Sequence, residues 1–174
     1  MTEKQIGVAV AGNTINEIRE FIFRAEQLGI HAAWMTTGGA RLDSMTSFAA
    51  IAADTTEIKL GTSVVPTYPR HPLVMVQQAQ VIGQLAPGRF RLGVGPSHRP
   101  SMESMGMHFT SPLGHLKEYL QILKAILQHG KVDFDGELYH AHDSIPEPLD
   151  ISIMASALSK GSFELCGAES DGAI

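Results

Sequence analysis

What most constrains this chain is a rhythm. Short runs rich in β-branched residues leave through glycine- or proline-marked loops into segments with helical spacing. The clearest unit is Ile58-Lys-Leu-Gly-Thr-Ser-Val-Val-Pro-Thr-Tyr-Pro-Arg-His-Pro72. Its first half alternates, with Ile58, Leu60 and Thr62 on one side and Lys59, Gly61 and Ser63 on the other, as a buried strand does. Gly61 removes a side chain where something else comes close to the backbone. Three prolines decorate the exit, and Pro72 suits the first helical position, where a missing N–H costs nothing. Strand-to-helix loops of this kind are where α/β folds place ligands.

The same unit recurs along the chain. Ile6 to Ala11 reads as a strand, followed by Thr14 and Glu17 at capping-box spacing and a helix that stops at Gly29. His31 to Thr36 is a second strand, with a helix opening near Asp43-Ser44. The helix after the third strand runs from Pro72 to Leu85 and is closed by Ala86-Pro-Gly88. Arg89 to Gly95 is the fourth strand: Phe90, Leu92 and Val94 face the helices, and Arg91, Gly93 and Gly95 face a ligand or a barrel interior. A long loop bearing Met and His spans Pro96 to Thr110, and a helix then runs from Ser111-Pro112 to Gly130. Asp135-Gly136 between short β-like runs signals a hairpin. Ile151 to Ala155 is a fifth strand, Ser159 to Ser170 a fifth helix, and Ala173-Ile174 the first step of a sixth strand.

Strands alternating with helices of this length imply a parallel sheet with right-handed crossovers. Two architectures satisfy that pattern, an open doubly wound sheet and part of a (β/α)8 barrel. A complete barrel takes about 250 residues, whereas this chain has 174. An apolar fraction of 44% and a charged fraction of 18% are those of a folded globular protein. A net charge of −5 provides no basic field for nucleic acid. Cys166, the one cysteine, cannot pair within the chain. No apolar run approaches the ~20 residues of a membrane helix, and the N-terminus lacks a signal-peptide layout. These features set the expectation of a cytoplasmic protein with no membrane partner.

Several constellations could carry chemistry. Gly93-Val-Gly95-Pro-Ser-His98 begins like a dinucleotide fingerprint, but a histidine stands where the last glycine belongs. His140 and His142, two apart, would share one face of a strand, yet no further ligand pattern accompanies them, so no metal is expected. His98 directly follows a glycine-ended strand, at the edge where active sites lie, and a histidine there can exchange a proton near neutral pH.

Taken together, Leu60-Gly-Thr-Ser-Val-Val-Pro66, Gln77-Gln78-Ala79 and Gly88-Arg-Phe-Arg-Leu-Gly-Val-Gly95 resemble the bacterial-luciferase-like monooxygenase superfamily. More narrowly they resemble its branch of oxidoreductases that use a deazaflavin (coenzyme F-420). The resemblance runs essentially the whole length, to Ala168-Glu-Ser-Asp-Gly172. It implies a single luciferase-like domain over residues 1–174, the N-terminal part of a TIM (β/α)8 barrel with about five βα units, a small β-hairpin insertion and the last strands lacking. It also implies a non-prolyl cis peptide in the third strand, here Ser63–Val64, backing the cofactor ring.

By the same resemblance, Thr36, Ser63, Val64, Val65, Gly95 and Ser97 would contact the cofactor. Ser156, Ala157 and Leu158, in the loop after the fifth strand, would offer backbone N–H groups to its phosphate. Sugar-phosphate dehydrogenases of the branch carry a catalytic histidine after the second strand, where this chain has Met35-Thr-Thr37. They also carry an acidic residue three positions past the fourth strand's last glycine, where this chain has His98. His98 is therefore the candidate proton-transfer residue, with Thr37 and Tyr68 as further polar contacts. The implied activity is hydride transfer between the deazaflavin and a small organic substrate. One alternative is an FMN-dependent monooxygenase using reduced flavin and O2. The other is a truncated, catalytically inactive remnant. Open sheet edges imply a homo-oligomer that covers them.

Overall fold

The computed structural model describes residues 4–174. Its main sheet is entirely parallel. β1 (Gly7–Ala9), β2 (Ala32–Met35), β3 (Lys59–Thr62), β5 (Phe90–Gly95), β8 (Ser152–Ala155) and β9 (Gly172–Ala173) lie side by side in that order, and β4 (Val65–Pro66) also pairs with β5. Each new strand adds at the same edge. A doubly wound sheet would reverse direction at a switch point, and none occurs here. Winding in one sense only is the topology of a (β/α)8 barrel, of which this sheet is a part.

The helices follow the same progression. α1 (Ile15–Gln27), α2 (Ser44–Ile51), α3 (Pro72–Leu85), α5 (Pro112–His129) and α6 (Lys160–Glu169) each contact the next. The core lies between them and the sheet. Ala33, Leu60, Phe90, Leu92, Val94 and Ile153 are fully buried from the strands, and Ile18, Phe48, Met75, Ile82, Leu120 and Leu123 come from the helices. The opposite, concave face carries Trp34, Gly61, Arg91 and Met154. Trp34 stands in register with Gly61, and a Cβ added at that glycine would run into the indole ring. The absence of a side chain inferred at Gly61 thus makes room for Trp34.

Local signals set most boundaries. Thr14 Oγ1 accepts from the Glu17 N–H at 3.2 Å, and Glu17 Oε2 accepts from Asn13 N–H at 2.8 Å, one residue before the cap of a standard capping box. Gly29 and Gly130 end their helices at φ 72° and 82°, in the left-handed region that glycine tolerates. Two expectations need correction. The 96–110 segment is not all loop but holds α4 (Arg99–Ser104), where Pro100 occupies the first turn and Arg99 pairs with Glu103 one turn on. The hairpin turn is longer than Asp135-Gly136: residues 136–139 connect β6 (Lys131–Asp135) to β7 (His140–Ser144). Glu118 on α5 explains the longer loop, because its carboxylate accepts the N–H groups of Glu137, Leu138 and Tyr139 at 2.9, 2.9 and 3.0 Å.

Glu26, near the end of α1, does the same for the approach to β3. Its Oε1 accepts from the N–H groups of Thr56, Glu57 and Ile58 at 2.9, 2.8 and 3.0 Å. Burial pushes its pKa up, but these three donors and the nearby Arg89 charge outweigh burial and leave it below the ordinary carboxylate value. The stability it contributes is therefore full above the unfolded-state value and is lost as pH falls through the lower folded-state value. Glu26→Gln is expected to cost about 1–3 kcal/mol at neutral pH. The variant should then lose less than the wild type on acidification below the unperturbed value of 4.5. Urea unfolding of both proteins at the two pH values measures this, and equal acid losses would contradict it.

Candidate active site

The site begins where the third strand breaks. β3 ends at Thr62 and β4 starts at Val65, leaving Ser63 and Val64 outside the ladder, joined by the cis peptide that the resemblance implies. Backbone groups taken out of a ladder need other partners, and here they come from both sides. On the β2 side, Ser63 N–H donates to the Met35 carbonyl at 2.9 Å, Thr36 Oγ1 donates to the Ser63 carbonyl at 2.9 Å, and Thr37 N–H donates to the Val64 carbonyl at 3.3 Å. On the β5 side, the buried Thr62 hydroxyl accepts from Gly93 N–H and donates to Gly93 O, both at 2.8 Å. Beyond the break, Thr67 N–H donates to the Gly95 carbonyl at 2.9 Å.

The end of β5 is kept free of side chains for a packing reason. A Cβ built at Gly95 would overlap Ser156 Oγ and would lie 2.9 Å from Ser156 Cβ and 3.1 Å from Val64 Cγ2. Val64, Gly95 and Ser156 thus converge from three strand ends. Val65 is buried in register with Val94. Ser97 adopts φ 66°, uncommon for a residue with a side chain. It lines a cleft of 420 Å³ with Thr37, Pro66, Arg70 and Met102. Thr36 lines a separate cleft of 740 Å³ at the ends of β1 and β2, together with Asn13, Trp34 and Arg41.

His98 is exposed at the N-cap of α4, and its ring has no hydrogen-bond partner among the described residues. In the loop after β8, Ser156 N–H donates to Val94 O at 3.0 Å and Ala157 N–H to Ile174 O at 3.1 Å. Leu158 N–H and Ser159 N–H both donate to Ser162 Oγ, at 3.0 and 2.8 Å. The expected free N–H groups of that loop are therefore engaged, and Leu158 exposes its side chain to 88%. Lys160 and Gly161, the first residues of α6, have N–H groups without a partner among the described residues. Thr37 and Tyr68 turn inward: Thr37 Oγ1 pairs with Ser44 Oγ and Tyr68 O–H donates to the Thr110 carbonyl. His140 and His142 do share a strand face, but Asp133 and Asp135 hydrogen-bond them across the hairpin at 2.6–3.1 Å. Asp133, then Asp135, raises the His142 pKa above its ordinary value.

One buried cluster went unanticipated. His115 on α5 is 5% exposed, and its Nε2 lies 2.9 Å from Thr67 Oγ1. Tyr68 stacks on its ring at 3.9 Å between centroids. Burial lowers its pKa to about 4, with Glu118 opposing the shift. The sequence signal was the spacing of His115 and Tyr119, one turn apart on a helix face otherwise read by its leucines.

A singly wound, parallel (β/α) sheet places the chain in the (β/α)8 barrel class. The chain belongs to the luciferase-like monooxygenase family, whose model matches residues 1–174. It is 27% identical over 167 residues to a 5,10-methylenetetrahydromethanopterin reductase from Methanolobus tindarius, covering 95% of this chain and 51% of that protein. It is 28% identical over 174 residues to an F420-dependent glucose-6-phosphate dehydrogenase from Kineococcus radiotolerans, covering 91% and 51%. The chain spans about half the length of the curated relatives it matches. Among solved structures it is similar in fold to the coenzyme F420-dependent tetrahydromethanopterin reductase of Methanopyrus kandleri. The TM-score is 0.87 at 21% identity, covering 99% of this chain and 55% of that one. It is also similar to the oxygenating constituent of 3,6-diketocamphane monooxygenase from Pseudomonas putida, in complex with FMN. Here the TM-score is 0.76 at 16% identity, covering 94% and 55%.

The packing at Gly95 makes a direct prediction. Gly95→Ala is expected to lose about 1–3 kcal/mol through overpacking. Rotating the Ser156 hydroxyl relieves only one of the contacts, so Gly95→Ala with Ser156→Gly should recover most of the loss. Denaturant unfolding of the three proteins measures it. A double variant no more stable than Gly95→Ala would contradict the packing account.

Proposed function

We propose that this chain forms the cofactor-binding part of an oxidoreductase that moves a hydride between a deazaflavin and a small organic substrate. One observation carries the reading. The break at Ser63–Val64 is held from β2 and from β5, beside a strand end that carries no side chain. A flat ring needs such a rigid wall. The relative named above as an F420-dependent glucose-6-phosphate dehydrogenase supports deazaflavin as the ring.

When bound, the deazaflavin supplies the redox step, and the protein supplies orientation and proton handling. We assign Thr36, Ser63, Val64, Val65, Gly95 and Ser97 to the ring side, with Ser156, Ala157 and Leu158 as the adjoining wall. The phosphate end is assigned to the first turn of α6, where the Lys160 and Gly161 N–H groups are available. His98 is assigned to proton transfer, because its exposed ring has no hydrogen-bond partner among the described residues. A homo-oligomer covering the outer edges of β1 and β9 belongs to the same reading; sedimentation as a monomer alone would contradict that part.

The second reading is a monooxygenase using reduced FMN and O2. Fold likeness to the FMN-bound constituent of 3,6-diketocamphane monooxygenase favours it. An absorption titration with each cofactor distinguishes the two. The deazaflavin reading expects saturable binding at least about tenfold tighter for deazaflavin than for FMN, a difference of about 1.4 kcal/mol. Binding of FMN alone would overturn it in favour of the monooxygenase, and binding of neither would overturn both for this chain.

A further inference from the structure

The buried cluster around His115 joins three pieces of chain that no regular ladder connects. Thr67 lies just past β4, Tyr68 and Phe109 stack at 4.9 Å, and Tyr139 closes the β6–β7 loop. Tyr139 O–H lies 3.3 Å from His115 Nδ1 and 3.4 Å from Nε2. The backbone of that loop is held in turn by Glu118, one helical turn from His115.

The donor at Thr67 sets the direction of the remaining bonds. Thr67 is fully buried and has one hydroxyl hydrogen, which it donates to the Gly95 carbonyl at 3.2 Å. The contact at 2.9 Å between Thr67 Oγ1 and His115 Nε2 then requires Nε2 to carry the proton. Nδ1 is left as an acceptor, and Tyr139 O–H is the donor in reach. The order is Tyr139 O–H to Nδ1, Nε2–H to Thr67 Oγ1, and Thr67 O–H to Gly95 O. With the Thr67 hydroxyl hydrogen on Gly95 O, a neutral imidazole in the Nε2–H tautomer completes the chain. The Gly95 carbonyl thus receives two donors from one residue, the Thr67 N–H at 2.9 Å and its hydroxyl.

We infer that His115 is a positioning residue, which orients the Thr67 hydroxyl so that the Gly95 carbonyl is held off the cofactor wall and the β6–β7 hairpin is coupled to that wall. The inference rests on the reading that Gly95 lines the cofactor site. His115 touches neither cofactor nor substrate. Its effect passes through Thr67, and the hairpin takes part because it brings Tyr139.

The charged and titratable groups around the ring agree with a neutral imidazole. Tyr119 lies on the same helix, Tyr68 comes from the loop before α3, and Tyr139 comes from the hairpin with His71 against its far side. Among the described residues Glu118 is the carboxylate acting on the ring, and its oxygens are occupied by three backbone donors. Burial pushes the pKa of both Tyr119 and Tyr139 up, so neither phenol supplies a negative charge to stabilise an imidazolium.

Two kinds of measurement test this, one of them independent of any cofactor. Nitrogen NMR of His115 is expected to show Nε2 protonated and Nδ1 not, with no titration until well below the ordinary histidine value of 6.5. The opposite tautomer, or titration near that value, overturns the inference. The carbonyl carbon shift of Gly95 is expected to move alike in His115→Phe and Thr67→Val and to stay near wild type in His115→Gln, whose amide N–H replaces Nε2–H. An unmoved Gly95 carbonyl in folded Thr67→Val or His115→Phe overturns it as well. Deazaflavin affinity should fall about tenfold in His115→Phe and in Thr67→Val, with no further loss in the double variant, and should remain within about threefold in His115→Gln. Should His115→Phe fail to fold, Thr67→Val and Tyr139→Phe carry the same comparison. If wild type binds no deazaflavin, the functional reading fails, while the tautomer and the Gly95 shift still decide the role of His115.

Discussion

The interaction on which most of this structure depends is the replacement of ladder hydrogen bonds where the third strand is interrupted. Buried backbone groups left without partners cost free energy comparable to a lost hydrogen bond each. Ser63 and Val64 lie outside the ladder, yet Met35, Thr36 and Thr37 bond them from one side while Thr62 and Thr67 secure the neighbouring β5 backbone. At Thr36, Thr62 and Thr67 a side-chain hydroxyl does the work of a peptide group. The substitution explains why an irregular segment can sit at the centre of a sheet and still present a fixed wall.

The same device recurs with carboxylates. Glu26 and Glu118 each collect three consecutive N–H groups, one set before β3 and the other in the hairpin loop. Each ties a loop to a helix that is already packed in the core. Non-repetitive parts of the chain are thereby fixed by single side chains from rigid elements, which is what a precise site needs. The glycines complement them. Gly61 yields to Trp34, and Gly95 yields to Ser156 and Val64, so the concave side of the sheet is shaped as much by missing side chains as by present ones.

Much of this was legible in the sequence because local chemistry and tertiary structure agree. Pro72, Gly29 and Gly130 stop or start helices at the residues that their backbone preferences suggest. Phe90, Leu92 and Val94 alternate with Arg91, Gly93 and Gly95 as a strand between two environments requires. The choice between barrel and doubly wound sheet was not decidable from the strand pattern. It depends on which edge each strand joins, and the family resemblance rather than periodicity pointed to the barrel. The α4 turn was missed because a histidine–arginine–proline start between glycine-rich and methionine-rich stretches reads as loop. The hairpin length was missed because Glu118, distant in sequence, caps it. His115 was missed because an amphipathic helix face hides one polar residue among leucines until its partners from other elements are known.

The central claim is that the ends of β2, β4, β5 and β8 together bind a deazaflavin ring. Backbone amide shifts of this chain during addition of deazaflavin test it most directly, since they report place as well as binding. The account predicts the largest changes at Thr36, Ser63, Val64, Gly95 and Ser156, with little change on the outer surfaces of α1 and α2. Changes concentrated away from those strand ends, or none at saturating cofactor, would contradict it.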